Sequence, residues 1–217
     1  MSTERARAAL LITARVANFD RWYEAFNENE QTRRDHGISG HHVNRHRGDG
    51  HLVSVFLAVE DIEAARKFPQ AKALEATMKK AGVEGSEFIW LKPRSENIVW
   101  NRELPAIIVR HEVKDFLQWK KFYDVAAAIR NKSGIVGDAT NTLLDNERVV
   151  IIYHQAERFA DLETFLADPE LKETMQLAGV TSEPEVTFAT GGWAKRYTSP
   201  ELSPARPRKD DSTSTHV

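Results

Sequence analysis

The sequence predicts an α+β protein made of two βαββαβ modules that pair sheet to sheet within one chain. Three observations carry that reading. The chain matches itself when shifted by 97 residues. Each copy runs through strand-like and helix-like apolar periods in the same order, and no cysteine or long apolar run offers another architecture.

The self-match comes first, because a missed repeat misreads the whole fold. Ala9–Leu91 aligns on Ala106–Phe188 without a gap, and about 18 of some 80 positions are identical. Val16, Phe19 and Trp22 fall on Val113, Phe116 and Trp119. Arg33, Gly37, Ile38 and Gly40 fall on Arg130, Gly134, Ile135 and Gly137. Thr77, Met78, Ala81, Gly82 and Val83 fall on Thr174, Met175, Ala178, Gly179 and Val180.

Each copy reads alike from its start. A first strand (Leu10–Val16 or Ile107–Val113) leads to a helix with Asn18 or Asp115 as N-cap. The helix carries Phe19, Trp22 and Phe26, or Phe116, Trp119 and Tyr123, spaced along one face. Gly37 or Gly134 ends it, as a left-handed position prefers. A second strand follows (Gly40–Arg47 or Gly137–Leu144), then a turn and a third strand (Leu52–Val59 or Val149–Ala156). A second helix, broken near Pro69 or Asp168-Pro169, closes at Gly82 or Gly179 before a short last strand (Phe88–Leu91 or Glu185–Ala189). This order is the ferredoxin-like split βαβ pattern. The expected boundaries are a first module at 8–91, a linker at 92–104, a second module at 105–197 and a disordered tail at 198–217, too poor in apolar residues to order itself.

A four-stranded sheet with both helices on one side leaves its other face bare, and a second copy covers it, giving an intrachain pseudo-dimeric α+β barrel. On the element order, the Phe-x-x-Trp opening of the first helix (Phe19/Trp22, Phe116/Trp119) and the Met-x-x-Ala-Gly-Val close of the second, the chain resembles the dimeric α+β barrel superfamily. That superfamily includes the antibiotic-biosynthesis-monooxygenase-like proteins. The resemblance spans both repeats and rests on fold signatures, not catalytic ones. It implies ligand pockets between the sheet and the helices of each module. It also implies a small-molecule-binding protein and leaves open an enzyme that acts on an aromatic or polyketide-like compound as a monooxygenase, cyclase or isomerase without a bound organic cofactor. A non-catalytic binding or stress-related module with filled pockets is the alternative, and a haem-associated protein a third. Fold alone does not choose among them.

Composition narrows the partners. A net charge of -2 over 217 residues gives no reason to expect nucleic acid. The apolar run after the charged N-terminus is too short for a signal peptide, and nothing approaches a membrane span, so a cytoplasmic protein is expected. With no cysteine, thiol nucleophiles and cysteine-ligated metals are excluded. Phosphate loops, dinucleotide fingerprints and nucleophile elbows are missing too. Whether the fused pseudo-dimer assembles further into a homodimer stays open.

Strand alternation assigns faces. Leu10, Ile12, Ala14 and Val16, with Ile107, Val109, His111 and Val113, belong against the helices. Leu11, Thr13 and Arg15, with Ile108, Arg110 and Glu112, belong inside the barrel. His111 and His154 therefore share the helix-facing side of the second module, where the first has Ala14 and Leu57. They are the candidate catalytic residues, two imidazoles able to act as acid and base. Trp119, Tyr123, Ile152 and Val109 would line the substrate space; the competing reading makes the histidines satisfied core residues. Arg15 and Glu112 are expected to meet as an ion pair across the pseudo-twofold axis. His36, His41, His42, His46 and His51 cluster in sequence, but no carboxylate stands at useful spacing, so no metal site is assigned. Arg33 and Arg130 are expected to bind loop carbonyls near Gly40 and Gly137. Trp100 and Trp193 are expected to cover the barrel or an oligomer contact.

Overall fold

The computed structural model describes residues 8–100 and 102–197. The charged N-terminus and the tail expected to be disordered lie outside the described residues. The first module runs β1 (Ala8–Val16), α1 (Phe19–Glu28), α2 (Glu30–Asp35), β2 (Ile38–His46), β3 (Leu52–Val59), α3 (Ile62–Ala65), a 3-10 turn (Phe68–Gln70), α4 (Lys72–Lys80) and β4 (Val83–Asn97). The second runs β5 (Leu104–Glu112), α5 (Phe116–Val125), α6 (Ala127–Lys132), β6 (Ile135–Leu143), β7 (Val149–Ala156), α7 (Phe159–Ala167), α8 (Pro169–Leu177) and β8 (Glu185–Arg196).

The two modules share a register. Leu10 faces Leu57 across β1 and β3, and Ile107 faces His154 across β5 and β7. Both β2 and β6 step out of register at the same place, between Ile38 and Gly40 and between Ile135 and Gly137. The local signals act as read. Asn18 accepts from the Arg21 amide at 2.9 Å and Asp115 from the Gln118 amide at 2.7 Å, so each first helix starts on its cap. Asp168 likewise accepts from the Glu170 amide at 2.8 Å ahead of Pro169.

The sheets meet at their edges as well as their faces. β2 pairs with β8 and β4 with β6, so the eight strands form one closed barrel in the order β1-β3-β2-β8-β5-β7-β6-β4. Closure removes every exposed strand edge. It also demands longer last strands than the apolar pattern suggested. β4 continues from Leu91 to Asn97, into the segment expected as linker, and those residues pair with β6. β8 continues past Ala189 to Arg196 to reach β2.

The faces fall as the alternation predicted. Leu10, Ala14 and Val16 join Phe19 and Trp22 in one helix-covered core, and Ile107, Val109 and Val113 join Phe116 and Trp119 in the other. A third cluster, Ala9, Leu11, Leu91, Ala106, Ile108, Ile151 and Tyr153, fills the barrel interior. The expected Arg15–Glu112 pair does not form. Arg15 bonds Asp49 of its own module at 2.7 Å and Glu112 is exposed, because both lie where β1 and β5 emerge from the barrel into water. Such an exposed pair contributes little.

The barrel interior is tight around Gly191. A Cβ there would overlap Asn44 Oδ1 and Tyr153 Oη and come within 3.0 Å of His42 Nε2. Gly191→Ala should therefore cost about 2 kcal/mol in urea unfolding, as overpacking of a filled core does. Unchanged stability would mean that β8 does not sit against β2 and β7 as described.

Candidate functional site

The residues singled out from sequence lie on the expected face, yet they do not converge. His111 and His154 are both buried on the helix side of the second module. In the β5–β7 register His154 stands opposite Ile107, four residues from His111, which is roughly 14 Å along the strand. One substrate atom cannot touch both. The space between them is occupied by a continuous run of rings. His111 meets Trp119 at 5.7 Å, Trp119 meets Tyr123 at 5.0 Å, Tyr123 meets His154 at 6.1 Å and His154 meets Phe165 at 5.0 Å. Val109 and Ile152 pack into the same cluster. Neither ring nitrogen of His111, nor Nδ1 of His154, has a hydrogen-bond partner among the described residues. Each such orphan costs on the order of 1–3 kcal/mol. Burial holds the pKa of His111 down to about 4 and that of His154 to about 3, so both are neutral.

An open space lies in the other module. A cavity of about 50 Å³ lies between the first sheet and its helices. Its apolar wall includes Ile12, Ala14, Leu57, Phe68 and Met78, and Asn29, Arg33, Thr77 and Ser86 supply polar groups. The matched positions explain the asymmetry. Ala14 stands where the second module has His111, so an imidazole's volume is left over on one side of the molecule.

Arg33 is the charged group on this cavity. The break between α1 and α2 at Asn29 leaves last-turn carbonyls without amide partners. Arg33 Nη1 donates to one of them, Phe26 O, at 2.5 Å, while the guanidinium lies 3.8 Å from the centre of the Phe26 ring. Arg130 repeats the device on Tyr123 O at 2.6 Å. The two arginines thus bind carbonyls as expected, but carbonyls of the preceding helices, α1 and α5, and not of the loops near Gly40 and Gly137. Arg33 Nε donates to Tyr197 Oη at 2.5 Å, and that hydroxyl lies 2.7 Å from His41 Nδ1. Burial, aided by the Arg33 charge, lowers the His41 pKa to about 3.

The remaining histidines have separate partners. His36 Nδ1 lies 2.7 Å from Thr32 O, His46 Nε2 lies 2.8 Å from Ser54 Oγ, and His51 Nδ1 lies 3.0 Å from Val16 O. His42 packs inside the barrel beside Tyr153, whose hydroxyl donates to Asn44 Oδ1 at 2.8 Å. Trp193 covers Phe19 and Tyr23, and Trp100 stands near His42.

Four buried histidines with lowered pKa values set a pH dependence. His41 and His154 are held near 3, and His42 and His111 near 4. Their unfolded values lie near 6.5, so the unfolded chain binds the extra protons, and stability present above that pH is lost as pH falls toward 4. Each group should contribute up to about 1.4 kcal/mol per pH unit below 6. Urea midpoints measured from pH 7 to 4.5 should fall, and less steeply in His111→Ala/His154→Leu. Equal slopes would place those imidazoles in water.

No family model matches the chain, and no curated protein matches its sequence. Solved structures match its shape. An anthrone oxidase-like protein is 13% identical over 90% of this chain and 95% of its own, with a TM-score of 0.63. A ferredoxin-fold protein from Listeria monocytogenes 4b F2365, described as related to antibiotic biosynthesis monooxygenases, is 7% identical over 85% and 95%, with a TM-score of 0.51. A variant of chlorite dismutase from Candidatus Nitrospira defluvii is 13% identical over 86% and 92%, with a TM-score of 0.52. At such identities the likeness extends to the fold, and these three descriptions name different chemistries. With its eight-stranded closure and outer helices, this chain has the fold of the dimeric α+β barrel proteins, both halves being supplied by one polypeptide.

Proposed function

We propose that the chain is a duplicated small-molecule-binding barrel in which the first module takes the ligand and the second is its filled partner. The observation that carries this is the cavity beside Ala14, set against the ring-packed space around His111. At about 50 Å³ the cavity is far below the ~300 Å³ of a drug-sized pocket. Its ligand is therefore small, or it gains room by displacing the flexible Met78 and the short Phe68–Gln70 turn.

Binding is favoured over catalysis. The residues that line the cavity include no carboxylate, histidine, lysine or tyrosine, so no group there exchanges a proton near neutral pH. Arg33 can orient or polarise a substrate oxygen but cannot act as a base. A monooxygenase, cyclase or isomerase reading based on His111 and His154 draws support from their orphan nitrogens alone. It would require Trp119 and Tyr123 to move aside. Haem does not fit beside either histidine, since Trp119 and Phe165 pack directly against them.

The test uses uncharged molecules from isobutanol to indole, followed by ligand-observed NMR and thermal shift. Saturable binding is expected in the native chain. Ala14→His, which copies the second module, should remove it, and His111→Ala should open a second site. If neither this uncharged panel nor a short-chain carboxylic acid binds the native chain, the proposal fails.

A further inference from the structure

We infer that the first-module cavity is an oxyanion site, built for the carboxylate of a small, mainly apolar monocarboxylic acid held by Arg33. The inference rests on the proposed binding role of that cavity and names the class of ligand. Arg33 is 1% exposed, lines the cavity and leaves Nη2 without a hydrogen-bond partner. A buried guanidinium with an idle N–H is costly unless something completes it.

No carboxylate bonds it directly, and the Glu30 charge acts on it only from a distance. Arg33 forms no ion pair among the described residues. Glu30, the nearby carboxylate, is already engaged by Arg34 at 2.7 Å and Lys195 at 2.6 Å. The second module differs at the position that matters. Arg130 lies 4.0 Å from the centre of the Tyr123 ring, and the Tyr123 hydroxyl donates to Asp138 Oδ2 at 2.7 Å. The matched residue in the first module is His41, held neutral beside Arg33. One copy thus has a carboxylate on the ring its arginine covers, and the other has a neutral imidazole at the matched position and a cavity beside its arginine.

The dimensions and walls define the guest. About 50 Å³ admits a carboxylate with a short hydrocarbon stub, and Ile12, Val55, Leu57 and Phe68 suit the hydrocarbon. A single cation among neutral polar groups (Asn29, Ser86) matches a monoanion, whereas a phosphate dianion would bring a second charge with no partner. Tyr197 and His41 do not line the cavity; they hold the guanidinium from behind as positioning residues.

The experiment compares butyrate and isobutyrate with butyramide and isobutyramide, shape for shape, on the native chain at fixed ionic strength. The acids should bind at least tenfold more tightly than the amides. Arg33→Gln should reduce the acids to the level of the amides, and Ala14→His should abolish both. Should Arg33→Gln fail to fold, the acid-to-amide ratio of the native chain still decides. Equal binding of acids and amides overturns the oxyanion assignment and leaves the binding cavity standing. Binding of the uncharged panel with no binding by either acid overturns it in the same way. Failure of every compound sinks both proposals.

Discussion

The hydrogen-bonded seams between β4 and β6 and between β2 and β8 hold this architecture together. Two open four-stranded sheets would each expose two edges and one apolar face. Joining edge to edge closes the ring, and Leu11, Leu91, Ile108 and Ile151 then form an inner core that belongs to neither module alone. The seams also place the helices outside and fix which strand face meets them. Helix–sheet spaces are therefore the places where small changes of side chain can open room without breaching the barrel.

Much of this was legible in the sequence, because it is encoded locally. Alternation along β1 and β5 separated helix-facing from interior residues, and the caps Asn18, Asp115 and Asp168 marked helix starts. The long last strands were not legible. Lys92–Asn97 is polar, contains Pro93 and reads as a linker, since its strand partner comes from the other module. Pro93 is tolerated where it is because the register shifts between Pro93 and Ser95. The breaks of the first helices at Asn29 and Ala126 carry neither proline nor glycine to announce them.

The location of the open space was present in the sequence, though it points away from the polar residues. His111 and His154 attract notice as titratable groups in a core. In three dimensions they consume the volume a ligand would need, and the informative member of the matched pair is the small one, Ala14. Arg33 was read as a fold residue, and it is one through Phe26 O. Its second role depends on Tyr197 and His41, 164 and eight residues away in sequence, which no local pattern connects to it.

A single polypeptide carrying both halves has a consequence for how such a protein changes. In a barrel assembled from two identical chains, every substitution is made twice, so closing one pocket closes its twin and every buried charge is duplicated. Here a neutral His41 need not be mirrored at Asp138, nor the bulk of His111 at Ala14. One half can specialise in rigidity while the other tolerates a buried arginine with an idle N–H, at half the energetic burden a symmetric assembly would bear.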